Sequence, residues 1–221
     1  RQIDSITRAV TLLGTKQIRD LVMATTAAKV FDGIPNEVIS VEDFWHHSLY
    51  CALLARELAK LSKKVNADTM FTAGLLHDIG HLVMFNRVPE ESAAAIMLTV
   101  QGDSNLEPYQ AERQVLGFDH AELGAALARN WHLPDILVNC IGFHHDLHAC
   151  KQHVEAVAHV HIANLIASLP YSDIPESEDL KRVSAEAWEL AHIDPDTIGP
   201  AIQEAQAHIG ETQSALFGNG E

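Results

Sequence analysis

Among the chain's 14 histidines, His77 is joined directly to an acid, as His77-Asp78 within Ala73-Gly74-Leu75-Leu76-His77-Asp78-Ile79-Gly80. Imidazole beside carboxylate, with further histidines spread far along the sequence, is the material of a metal site to which each helix contributes one or two ligands. Adjacent residues on a helix point about 100° apart, so His77 and Asp78 can serve one ion only at a helix end, and Gly80 is expected to supply that end. His47, His120 and the pair His144-His145 are the candidates to complete the site. Asp43 lies one helical turn before His47 on the same face. Such a donor set suits Fe, Mn, Ni or Zn, as one or two ions, and is a poor match for Mg alone.

The remaining histidines have plainer readings. His46 is expected at the surface beside His47, and His81 either rims the pocket or caps a helix end. His132, His148, His153, His192 and His208 read as surface residues, and His159 and His161 as packed within their helix. Trp45 and Trp131 suit helix packing better than ligand binding. Glu122, close after His120, either orients a ligand or favours the first turn of its helix.

The elements that must position these groups are helical almost throughout. Ile6, Ala9, Val10 and Leu13 recur at helical spacing behind Asp4, and Ile18, Leu21, Val22 and Thr25 resume the pattern after Gly14. Ser40 with Asp43 resembles a capping box opening a long amphipathic helix through Phe44, His47, Cys51, Leu54, Leu58 and Leu61. Asp68 is placed to cap a second helix running to His77-Asp78. Further helices are expected from Pro89 to Val100, from Leu106 to Leu116, and from a cap at Asp119 to about Trp131. Another has Pro134 in its first turn and ends near His144-His145, and a long one runs from Cys150 to Leu169. Pro170 and Pro175 mark a linker, and Ser177 and Asp194 suit caps of two final helices. No stretch alternates long enough for a strand, which predicts an all-α helical bundle.

With 221 residues, 47% of them hydrophobic, the chain can fill one core, with a helical appendage at most. Fifteen Lys and Arg against 30 Asp and Glu give a net charge of −15, so a nucleic-acid backbone would meet repulsion and no nucleic-acid partner is expected. Residues 1–31 are locally basic, whereas the stretch after Tyr171 is acidic and reads as a solvated helical face. Cys51, Cys140 and Cys150 form no C-x-x-C pair, which argues for a reducing compartment and a cytoplasmic location. The longest apolar runs, Leu49 to Ala55 and Ala93 to Val100, fall far short of the ~20 residues that span a bilayer, so no membrane insertion is expected.

Several separated motifs, in order, resemble the HD superfamily of metal-dependent phosphohydrolases and within it the HDOD domain. They are Phe44-Trp45-His46-His47-Ser48-Leu49, the Ala73 to Gly80 run, Asp119-His120-Ala121-Glu122-Leu123-Gly124-Ala125, Trp131-His132-Leu133-Pro134, Ile141-Gly142-Phe143-His144-His145 and His159-Val160-His161-Ile162-Ala163-Asn164. The opening Ile3-Asp4-Ser5-Ile6-Thr7-Arg8-Ala9-Val10 with Leu13-Gly14 is similar to the middle of that domain. The resemblance implies an HD-type helical domain over residues 1–169 that starts part-way through, with residues 170–221 as a C-terminal helical extension packing on it. It also implies a metal site at His47, His77, Asp78, His120, His144 and His145.

Active HD phosphohydrolases close this site with a late Asp, and the equivalent place here is Asn164. The HD-GYP phosphodiesterases carry a Lys soon after the HD pair, where this chain has His81. They also carry a Gly-Tyr-Pro run after the paired histidines, where it reads Asp146-Leu147-His148-Ala149-Cys150. The resemblance therefore implies a non-catalytic output or interaction module of bacterial signal transduction, with signalling proteins or regulatory domains as partners and a nucleotide as a conceivable ligand. The alternative is a metal-dependent phosphohydrolase acting on a phosphodiester or a (cyclic di)nucleotide, in which Asp78 holds the nucleophile between metals.

Overall fold

The computed structural model describes residues 41–101, 106–169 and 179–217. The expected helices before Ser40, the Ser40 cap, the linker prolines and Ser177 lie outside the described residues. Within them all regular structure is helical: α1 (Val41–Ser62), α2 (Ala67–Leu76), α3 (Ile79–Arg87), α4 (Pro89–Gln101), α5 (Pro108–Leu116), α6 (His120–Asn130), α7 (Asp135–Phe143), α8 (Val154–Ala167), α9 (Ala185–Ala191) and α10 (Gly199–Phe217). Short 3-10 turns at Asp179–Arg182 and Pro195–Thr197 flank α9.

α1 is the central rod. Its residues from Leu49 to Ala55 are all buried, which a helix achieves only when neighbours cover its whole circumference. Those neighbours are α2, α8 and α10. Gly74 makes the first of these contacts close, since a Cβ there would lie 2.7 Å from the Ala52 Cα. Ile198, Ile202, Ala205 and Ile209 of the C-terminal segment join the same core as Leu53, Ile141 and Ile162.

Several boundaries differ from the sequence reading. α2 is capped by Asn66, whose side chain accepts the Thr69 N–H at 2.9 Å, while Asp68 stands in the first turn, where its charge complements the helix dipole. The chain then breaks at His77-Asp78, not at Gly80: Asp78 leaves helical geometry at φ −98°, ψ 12°, and Gly80 lies inside the new helix α3. α8 starts at Val154 instead of Cys150 because His153 is left-handed, at φ 58°. Pro134 immediately precedes α7, one residue earlier than the first-turn position expected for it. Asp194 caps the Pro195–Thr197 turn ahead of α10, accepting the Asp196 N–H at 3.0 Å. Asp119 caps α6 as expected, accepting the Glu122 N–H at 2.8 Å.

Candidate metal centre

The helix break turns the His77 and Asp78 side chains into one interior space. α1 brings His47 to it, the first residue of α6 brings His120, the end of α7 brings His144 and His145, and α8 brings Asn164. All six sequence-predicted site residues converge. Asp43 is exposed and stands outside the donor groups.

Asp78 is the hinge of the arrangement, because its two oxygens face different partners. Oδ2 lies 3.5 Å from His47 Nε2 and 3.3 Å from His77 Nε2. Oδ1 lies 3.3 Å from His120 Nε2 and 3.4 Å from His144 Nε2. His145 Nε2 is 2.9 Å from His120 Nε2, which completes the second group. Asn164 Oδ1 adds an oxygen to the first, 3.0 Å from His47 Nε2 and 3.3 Å from His77 Nε2. The result is two donor sets, His47–His77–Asp78 and Asp78–His120–His144–His145, which share one carboxylate.

The outer nitrogens explain why the inner ones point inward. His77 Nδ1 donates to the Gly74 carbonyl at 2.7 Å, and His144 Nδ1 to the Ile141 carbonyl at 2.8 Å. His120 Nδ1 donates to Glu112 Oε2 at 2.7 Å. Each ring thus has its proton fixed on Nδ1 and presents Nε2 to the shared space, as metal-ligating histidines do. Asp78 Oδ1 and His144 Nε2 are buried yet lack a hydrogen bond of acceptable geometry, a costly state for a polar group unless something else satisfies it. Borderline N donors, one carboxylate and orphaned inward atoms fit a divalent transition metal, so the cluster can bind one.

Charge in the cluster is strongly polarised. Burial alone would strip the proton from His77, but the Asp78 carboxylate, with Cys51 behind it, overrides this and holds the His77 pKa well above the ordinary value. Burial likewise opposes charge on His120, and its contacts with Asp78 and Glu112 raise its pKa to about 9. Asp78 is pulled well below the usual carboxylate range by His77, His120 and His144 despite its burial. His144, by contrast, is pushed down to about 4 by burial, which outweighs the opposing contact with Asp78. Burial also lowers His145 and His47.

Glu112 is the residue beside the donor sets that the sequence reading missed. It is buried on α5, and its Oε2 accepts both the backbone N–H of His120, at 2.8 Å, and the His120 ring. His81 stacks on the His120 ring with centroids 3.9 Å apart and so lines the pocket instead of capping a helix. Glu122 pairs with Arg113 at 3.1 Å and turns away from the donor sets. Arg113 also holds Asp119 at 2.8 Å, and Tyr109, over which it lies, stacks on His145.

A family model of the HDOD domain matches residues 1–147. The chain belongs to the HDOD domain family. Its fold is that of HD-type helical proteins, with close similarity to an HDOD domain protein of unknown function from Geobacter sulfurreducens. That pair shares 25% identity and a TM-score of 0.75 over 96% of this chain and 76% of the other. A candidate phosphohydrolase from Shewanella amazonensis SB2B is similar at 26% identity, with a TM-score of 0.73 over 95% of this chain and 77% of that one. An uncharacterized protein of Treponema pallidum (strain Nichols) is 31% identical over an alignment of 181 residues that covers 78% of this HDOD chain and 34% of the relative. The chain therefore spans about a third of that relative's length. No helix among the described residues is long and apolar enough to cross a membrane.

Proposed function

We propose that this HDOD chain is an output and interaction module of a bacterial, cytoplasmic signalling protein, in which the metal centre serves structure or sensing and not turnover. The observation that carries this reading is Asn164. It contacts His47 and His77 where HD phosphohydrolases are expected to supply an acid, so the His47–His77 set has only the shared Asp78 as its anion. A neutral amide binds a divalent cation more weakly than a carboxylate does. His81, at the place of the expected cationic Lys, is pushed down to about 4 by burial and by His120, so it offers no positive charge to a phosphate at neutral pH. Signalling proteins or regulatory domains are the partners this reading calls for, and a nucleotide is the class of ligand it assigns to the pocket.

One observation favours the phosphohydrolase reading: two donor sets sharing Asp78 are what a dinuclear hydrolytic site requires. A bound divalent cation would act there as a Lewis acid and lower the pKa of water. In that case Asp78 orients the nucleophile, and the buried imidazoles exclude bulk water from it. The two readings separate when the purified chain is analysed for metal and then assayed with a chromogenic phosphodiester and added Mn. Bound metal without turnover supports the module; turnover that is lost in His77→Ala overturns it.

A further inference from the structure

The three inward-facing imidazoles with fixed tautomers are not held alike. His77 and His144 give their Nδ1 protons to neutral peptide carbonyls of their own helices, Gly74 and Ile141, three residues earlier. His120 gives its proton to a carboxylate from another helix, Glu112 of α5, at 2.7 Å. That carboxylate is itself constrained. The same Oε2 takes the His120 backbone N–H at 2.8 Å, so Glu112 clamps both ring and main chain of one residue. Its other oxygen faces His81 Nδ1 at 3.5 Å, and the His81 ring covers one face of His120, with Phe85 stacked beyond it at 5.3 Å. The clamp is buried, with Glu112 5% exposed and His120 2% exposed, so water competes little for either partner.

Resting on the metal-centre reading above, we infer that Glu112 is a positioning residue that makes the two halves of the centre unequal, so that the Asp78–His120–His144–His145 set is the tighter one and fills first. The physical reason is direct. A carboxylate accepting the outer proton of a ligating imidazole raises that imidazole's basicity and fixes its rotation, and the loss of such a partner typically costs 10–100-fold in metal affinity. The His47–His77 set is held differently: its extra oxygen is the neutral Asn164, and the outer nitrogen of His77 donates to a peptide carbonyl.

Zn2+ titration by calorimetry of the whole chain and of E112Q, in the cold where circular dichroism shows both fully folded, tests the inference. The amide introduced by E112Q can still accept the two N–H groups through its carbonyl oxygen but carries no charge. The expected result is two binding phases in the wild type and a 10–100-fold weaker first phase in E112Q, with the second phase unchanged. A first phase of equal affinity in both proteins reduces Glu112 to a helix cap and overturns the inference. A second measurement needs no variant: histidine-ring NMR of the Zn2+-loaded wild type must show His120 bound through Nε2 with its proton on Nδ1, and binding through Nδ1 overturns it equally. A wild type that takes up no Zn2+ defeats the metal reading itself, and this outcome is distinct because it is seen before any variant is made.

Discussion

Gly80 meets the backbone of His120 so closely that a Cβ on Gly80 would lie 1.9 Å from the His120 carbonyl oxygen. Gly124, on the same helix as His120, repeats the device, with its own Cβ position 3.3 Å from the Gly80 nitrogen. These glycines let α3 and α6 nearly touch, and that approach sets the distance from Asp78 to His120. Gly80→Ala would gain about 1 kcal/mol of helix propensity. The clash is with backbone and cannot be relieved by a rotamer, so α3 must move, at an overpacking cost of about 3 kcal/mol. Urea denaturation of G80A should show a net loss of about 2 kcal/mol with an unchanged slope. A variant more stable than the parent would contradict the close approach.

The same glycine marks where sequence reasoning went astray. After an apolar run, Gly80 looks like a helix stop, because glycine is the commonest residue just past a helix end. Its use here depends on a partner forty residues away, which periodicity cannot register. Glu112 was hidden for a similar reason: flanked by Ala111 and Arg113 on a short polar helix, it reads as solvated, and only the turn at Gly117, with φ 82°, returns the chain so that His120 meets it. A lone histidine on a helix is more often a core or surface residue, so the site was legible only because six candidate ligands stand in the order of HD proteins, and caps such as Asp119 announce the helix that carries the next one. Asp68 suits a cap by residue type, but Asn66, two residues earlier, suits one equally and takes the place.

Asp78 gives one oxygen to each donor set, so its removal should abolish both. In Asp78→Asn the affinity for both ions should fall by more than about 100-fold, beyond what loss of an outer partner causes. His77→Ala should instead spare the His120–His144–His145 set, and His145→Ala should spare His47–His77. Metal per chain after dialysis, measured by plasma mass spectrometry, distinguishes these patterns. Equal loss in all three variants would mean that the centre holds a single ion.

Asn164→Asp restores an anion 3.0 Å from His47 Nε2 and 3.3 Å from His77 Nε2. A carboxylate in that place should tighten metal at the His47–His77 set by about tenfold, or about 1.4 kcal/mol. If the missing acid is what silences the site, N164D should also acquire Mn-dependent phosphodiester turnover above that of the parent. Tighter metal without turnover would instead assign the silence to the neutral His81. Unchanged affinity would remove Asn164 from the donor set altogether.

Away from the centre, His159 is buried, donating Nδ1 to the Glu155 carbonyl at 2.7 Å and accepting the Ser62 hydroxyl on Nε2 at 2.8 Å. Burial lowers its pKa, His192 pushes the same way, and the carbonyl and carboxylate of Glu155 oppose them only in part. The unfolded chain therefore takes up a proton near pH 6.5 while the folded chain does not. Stability from His159 is complete above that pH and is lost as pH falls from 6.5 toward the lower folded value, with a slope of at most about 1.4 kcal/mol per pH unit. Other buried histidines add to this slope or oppose it, so the decisive quantity is a difference. His159→Gln keeps an acceptor for Ser62 but cannot titrate, and its denaturation free energy should converge on that of the wild type as pH falls below 6.5. A gap that stays constant across this range would show that the folded chain protonates His159 as readily as the unfolded chain does.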